Sequence, residues 1–184
     1  MTIKTLEIAG IGAALAALRL PYGKKPRSII GFNSESNDKN YIVSYSSATI
    51  SDEDMTLLKT LIKRGDEHAK VIRGIIAYAE IKAPIYFFCE EETYRAGHER
   101  LSSESTMHGV AKGLSGEELV KVKGELPMGT ELTKVDMFSY QCLRNIVKQR
   151  HNHRLPEWHV FVEWIKTLPF AKELIFSGIE ELYE

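Results

Sequence analysis

The densest run of reactive side chains is Ser102-Ser103-Glu104-Ser105-Thr106-Met107-His108, which puts four hydroxyls, a carboxylate and an imidazole within seven residues. Hydroxyls and backbone N–H groups at a turn that enters a helix suit a phosphate. Arg95 and Arg100, just upstream, could add charge-assisted hydrogen bonds. The same composition also describes a solvated loop with serine caps. A second concentration is the basic run Lys148, Arg150, His151, His153 and Arg154, ahead of Pro156-Glu157-Trp158. Cations at the end of a helix complement its dipole, and the same cations could form an anion-binding corner. Spacing leaves both readings open.

Other patterns carry less. Gly10-x-Gly12 lies between a strand and a helix, but Leu15 stands where a dinucleotide fingerprint needs its third small residue, so the expectation is a tight turn. His98-Glu99 lacks the second histidine of a zinc-protease helix, with Ser102 in its place. His151 and His153 would point ~200° apart on a helix and could not share an ion there. No metal site is expected. There is no Gly-x-Ser-x-Gly elbow, and neither Cys89 nor Cys142 has an adjacent histidine. A covalent mechanism on a protein side chain is therefore not expected.

The elements that must position these residues are read as follows. Thr2 to Ala9 forms a strand and Ala13 to Arg19 a helix stopped by Pro21. Tyr22 to Lys39 is a loop with a short strand at Ile29-Ile30, and Tyr41 to Tyr45 is a strand. Ser51 caps a helix whose first turn holds Asp52, Glu53 and Asp54 and which stops at Gly65. Glu67 to Gly74 reads as helical, and Ile75 to Ile81 as a strand or a continuation of that helix. Pro84 starts a helix over Ile85 to Tyr94. Gly97 to Gly113 reads as polar loop, Ser115 with Glu118 as a capping box, Val135 to Arg150 as one strong helix, and Pro156 as the start of another that ends near Leu168-Pro169.

With 184 residues, 43% hydrophobic and 27% charged, the expectation is one globular domain over residues 1–184. Lys plus Arg total 24 against 25 Asp plus Glu, a formal charge of -1, which gives no electrostatic case for nucleic-acid binding. No apolar run reaches a membrane span and no signal peptide is read. Two cysteines fit reduced thiols in a cytoplasmic protein.

Three blocks, in order, resemble the flavin-dependent thymidylate synthases. Gly65-Asp66-Glu67-His68-Ala69-Lys70-Val71-Ile72-Arg73 looks like the family's Gly-His-x-Ser-x-x-Glu-His segment; His68 matches, while Lys70, Arg73 and Gly74 replace the serine, the glutamate and the second histidine. Thr93-Tyr94-Arg95 through Ser105-Thr106-Met107-His108 resembles Arg-His-Arg followed by Asn-Glu-x-Ser-x-Arg-Tyr, with Arg95 retained and a spacer about two residues longer. Leu143 to Arg150, then Glu157-Trp158, resembles the late helix with its nucleotide-binding arginine. Leu18 to Pro21, His68 to Lys70, Ala83 to Tyr86, Thr93 to Gly97 and Ser105 to His108 are similar to elements of a phage-associated branch of that superfamily.

The resemblance implies an α+β domain with a mixed sheet and long helices, assembled as a homotetramer with sites shared between subunits, in the cytoplasm of a bacterial host cell. It implies pyrimidine nucleotide C5 one-carbon transfer on a dUMP-type substrate, with FAD and a folate, and no side chain that attacks the substrate. Carried over residue by residue, His68, Lys70, Arg73, Tyr94 and Arg95 would hold the flavin. Arg95, Ser103, Glu104, Ser105, Thr106, Arg150 and Arg154 would bind the nucleotide, and Glu104 or His108 would polarise the base. The first signature triplet is Thr-Tyr-Arg here, which removes cationic groups near the flavin ring. A second expectation is therefore a degenerate nucleotide binder that senses or sequesters its ligand, and a third is a structural oligomer.

Overall fold

The structure is a computed structural model that describes residues 1–24, 29–30, 33–35, 43–45 and 48–183. β1 (Thr2–Ala9) leads through Gly10 into α1 (Ile11–Leu18). Ile11, Ala14, Leu15 and Leu18 recur at the spacing of one helical face, and all four are buried. Gly10 has φ +84°, and a Cβ there would lie 1.9 Å from the Gly74 carbonyl oxygen. The glycine serves backbone packing, as the tight-turn reading expected. Short strands β2 (Ile29–Ile30), β3 (Asn33–Glu35), β4 (Val43–Tyr45) and β5 (Ala48–Thr49) form two antiparallel pairs, β2 with β5 and β3 with β4. The expected strand at Ile29-Ile30 is present; the expected Tyr41 and Ile42 strand positions, and most of the expected loop to Lys39, lie outside the described residues.

α2 (Asp52–Lys63) begins where expected, with the Ser51 hydroxyl accepting from the Asp54 N–H at 3.2 Å. β6 (Ile76–Pro84), α3 (Ile85–Glu91), β7 (His98–Ser103), α4 (Gly116–Gly124), β8 (Glu131–Ser139), α5 (Tyr140–Arg150) and α6 (Pro156–Lys166) follow. The main sheet has the order β1-β6-β8-β7, and every neighbouring pair is antiparallel. It is not the mixed sheet expected, and no helix among the described residues exceeds the 12 residues of α2.

Three further expectations are corrected. Val135 to Arg150 is not one helix: the chain is strand to Ser139, whose hydroxyl caps α5 by accepting from the Cys142 N–H at 3.1 Å. Gly97 to Gly113 is not all loop, because His98–Ser103 pairs with β8 as an edge strand. Glu67 to Gly74 is turns and a 3-10 segment at Lys70–Gly74 rather than an α-helix.

One face of the sheet carries Ala77, Ala79, Ile81 and Ala83 from β6 with Lys134, Asp136 and Phe138 from β8, all buried. The small alanines let helices approach closely. α6 lays Trp158, Phe161 and Trp164 onto this face, with Phe138 5.5 Å from Phe161 and Phe87 of α3 4.8 Å from Trp158, ring centre to ring centre. Each such aromatic contributes about 1.5–3 kcal/mol by leaving water. No helix among the described residues is long and apolar enough to cross a membrane.

Candidate functional site

The segment after α2 is strapped to α5. The Asp66 carboxylate accepts from Gln141 Nε2 at 3.1 Å and lies 3.9 Å from Lys148 Nζ, while its carbonyl accepts from Arg73 Nη2 at 2.9 Å. His68, Lys70 and Arg73 are exposed on this segment, three basic side chains within six residues. Their chemistry fits a diphosphate.

The far end of α5 forms a second basic corner. Arg150 Nε donates to the Tyr94 hydroxyl at 2.8 Å and Nη1 to the Glu90 carboxylate at 3.1 Å. The guanidinium lies 4.8 Å from the Trp158 ring centre and 5.6 Å from that of Tyr94. Trp158 Nε1 donates to the same Glu90 oxygen at 2.9 Å, and His153 Nε2 lies 3.6 Å from it. Burial raises the Tyr94 phenol above its ordinary value, with Arg150 acting in the opposite direction. Arg95 and Arg154 are exposed. The structure thus joins two of the expected site residues, Tyr94 and Arg150, by a direct hydrogen bond, although they stand 56 positions apart.

Ser103 to His108 sits elsewhere. Ser103 ends β7, a strand whose length separates it from the His98 end by about 16 Å. The Glu104 backbone N–H donates to the Thr133 carbonyl at 2.8 Å, and its carboxylate accepts from the Thr133 N–H at 2.7 Å. The Ser105 hydroxyl accepts from the Met107 N–H at 3.2 Å, and Lys123 Nζ donates to the Thr106 hydroxyl. His108 is exposed on the following turn. Ser103 and Glu104 line an open depression of 510 Å³ with Glu80, Ser102, Thr133, Lys134 and Val135. The Arg150 side chain meets Tyr94, Glu90 and Trp158, and neither Glu104 nor His108 is among its contacts. A depression of similar size, 550 Å³, lies between Arg19, Tyr22 and α2 and contains none of the expected site residues.

One group was missed by the sequence reading. Glu91 at the end of α3, His98 at the start of β7 and Asp136 on β8 bring their polar atoms within 4.8 Å of one another, all buried. His98 Nε2 lies 2.7 Å from Glu91 Oε1 and 3.8 Å from Asp136 Oδ1. Burial pulls the imidazole's pKa down, but Asp136 and Glu91 overcome this and lift it to about 9. Burial raises Glu91 above the ordinary carboxylate range, against the pull of His98. Lys134, also buried, is tied to Glu92 and sits over the Phe88 ring at 4.0 Å. Lys134, Asp136 and Phe138 share one buried face of β8, and the polar pair on it hides the strand from a reading of apolar pattern.

Neither cysteine is arranged as a nucleophile. Burial pushes the Cys142 thiol up to about 12, and Cys89, although exposed, has no histidine in hydrogen-bond contact.

No protein-family model matches the chain, and no curated protein matches its sequence. Solved structures do match. Thymidylate synthase X (ThyX) from Helicobacter pylori with FAD and dUMP is 12% identical, with a TM-score of 0.70 covering 98% of this chain and 100% of that one. A second structure of the Helicobacter pylori flavin-dependent enzyme, also with FAD and dUMP, gives 0.66 at 12% identity, covering 96% and 98%. A UMP/dUMP methylase, PolB from Streptomyces cacaoi bound with 5-Br dUMP, gives 0.63 at 10% identity, covering 96% and 94%. Over nearly its whole length, this chain has the fold of the flavin-dependent thymidylate synthase ThyX.

Proposed function

We propose that the protein binds a pyrimidine nucleotide of the dUMP type and supports one-carbon transfer to C5 of its base, with FAD as cofactor and a folate as the source of the carbon. The observation that carries this reading is the corner of Arg150, Tyr94 and Trp158: a cation held between aromatic faces, beside exposed Arg95, on a fold shared with nucleotide-bound ThyX and PolB. Such a corner offers charge to a phosphate and the half-buried Tyr94 ring to a base, while the fully buried Trp158 backs the guanidinium. Exposed His68, Lys70 and Arg73 would hold the diphosphate of FAD, with Arg95 between the two ligands. A bound flavin, once reduced by an external reductant, would supply the hydride. The residues of this chain bind, orient and polarise, which agrees with the absence of an activated thiol.

Glu104 and His108 would polarise the base, and Ser103, Ser105, Thr106 and Arg154 would complete the phosphate contacts. Because neither Glu104 nor His108 contacts Arg150 within the chain, this reading uses a second copy of the chain to complete each site. A homotetramer supplies that arrangement.

The test is calorimetry with dUMP, followed by incubation with dUMP, methylene-folate, FAD and a reductant, with the nucleotide read by mass spectrometry. A nucleotide heavier by one CH2 unit, as when a methyl group replaces the C5 hydrogen, supports the proposal. Binding without turnover supports the second reading, a nucleotide binder without catalysis. That reading is favoured by the Glu104 carboxylate, which is already engaged by the Thr133 N–H. No dUMP binding removes both. Arg150→Ala is expected to weaken dUMP binding at least about tenfold, the cost of a charge-assisted contact, while leaving the chain folded.

A further inference from the structure

We propose that Glu91, His98 and Asp136 form a binding site for one first-row divalent cation, of the zinc, manganese or iron class, at the corner where α3, β7 and β8 meet. The donor set is two carboxylates and one imidazole, which suits such ions. Metal bonds of about 2.0–2.2 Å place neighbouring ligand atoms roughly 3.0–3.4 Å apart. The distances from His98 Nε2, 2.7 Å to Glu91 and 3.8 Å to Asp136, bracket that range.

Two features point to a ligand. First, both carboxylate oxygens of Glu91, both of Asp136 and Nε2 of His98 lack an aligned hydrogen-bond partner although their side chains are at most 4% exposed. The 2.7 Å approach is short in distance but lacks the alignment of an N–H···O bond. Buried carboxylate oxygens in that condition are costly, and an ion at their centre would satisfy all of these atoms together. Second, the imidazole is held as a metal ligand is held. His98 Nδ1 is 3.1 Å from the Tyr94 carbonyl, to which it can donate, leaving the Nε2 lone pair aimed at the two carboxylates. The ring stacks on Phe138 at 4.5 Å with the planes 3° apart. A divalent cation would also match the two carboxylates in charge around a neutral imidazole. The sheet also provides room, because the residue paired with Asp136 on β6 is Ala79.

The ion would clamp α3 and β7, which flank the turn that carries Tyr94 and Arg95, to β8, and the inference does not depend on the proposed activity. The experiment strips the full-length chain with a chelator, removes the chelator, and titrates Zn2+ or Mn2+ by calorimetry, with metal content measured after desalting. One retained equivalent and a raised Tm are expected. Glu91→Gln and Asp136→Asn preserve shape, and each is expected to weaken the metal at least about tenfold. His159→Ala, on the exposed face of α6, is expected to change nothing and so separates this site from surface histidines. Should the variants fail to fold, Co2+ added to the wild-type chain reports directly, since low-symmetry nitrogen and oxygen ligation absorbs visible light far more strongly than the weakly coloured hydrated ion. No retained equivalent and no such absorption, or retention equal in wild type and both folded variants, would overturn the proposal and leave a buried imidazolium between carboxylates.

Discussion

Replacing Gly97 with alanine would push a methyl group into the cap of α5. Gly97 has φ +81°, and a Cβ there would stand 2.2 Å from Ser139 Oγ, 3.2 Å from Ser139 Cβ and 3.5 Å from Cys142 Cβ. The left-handed backbone costs a non-glycine residue about 1–2 kcal/mol. The Ser139 hydroxyl must also rotate away, losing its bond from the Cys142 N–H, a cap contribution of about 1 kcal/mol. The sum is about 2–3 kcal/mol, or a Tm lowered by about 4–12 °C for a chain of this size. Ser139→Ala alone should cost about 1 kcal/mol. The double variant loses the same cap only once, so it should cost about as much as Gly97→Ala by itself. A double-mutant cycle by denaturant unfolding would then show a coupling of about 1 kcal/mol. Simple additivity, within about 0.5 kcal/mol, would refute the idea that Gly97 exists to clear the serine hydroxyl.

The basic corner yields two more expectations. Glu90→Gln releases Arg150 from a partly exposed pair worth up to about 1 kcal/mol, so dUMP should bind up to about fivefold more tightly; weaker binding would mean that Glu90 positions Arg150 rather than competes for it. Trp158→Phe leaves Trp164 as the sole tryptophan and removes the donor to Glu90, at a cost of about 1 kcal/mol. Any fluorescence change on adding dUMP should disappear with it, and a change that persists would place the ligand elsewhere. At the other end of the chain, the Gly178 backbone N–H and Lys63 hold the Glu180 carboxyl down to about 2. A depressed carboxylate contributes stability that is full above its ordinary value of 4.5 and lost as pH falls through about 2. Glu180→Gln should therefore flatten that part of an acid-unfolding profile, and an unchanged profile would dismiss the contact as energetically silent.

The amphipathic elements were legible because their buried residues follow the helical period. Ile11, Ala14, Leu15 and Leu18 announce α1, and Ser51 with its acidic first turn announces α2. β8 was not legible because its buried face carries Lys134 and Asp136 where a strand normally places apolar side chains, so the alternation rule pointed the wrong way. β7 was missed for a related reason: of its residues only His98 is buried, and its pairing comes from backbone contacts to β8. The Tyr94–Arg150 contact was approached through the resemblance, since no local spacing links residues so far apart in sequence. Glu91, His98 and Asp136 come from three elements, one of them read as loop and one as helix, and no motif search joins them.

Both outer strands of the four-stranded sheet are irregular, whereas β6 and β8 pair without interruption. β1 carries a bulge between Thr5 and Glu7 and β7 another between Arg100 and Ser102, so Leu6 and Leu101 are the extra residues on opposite rims. A bulge bends its strand and breaks the even row of exposed N–H and C=O groups that a foreign strand would need as a template. Each rim is thereby a poorer template for a strand from another copy, which disfavours open-ended ribbon growth at the edges of the sheet.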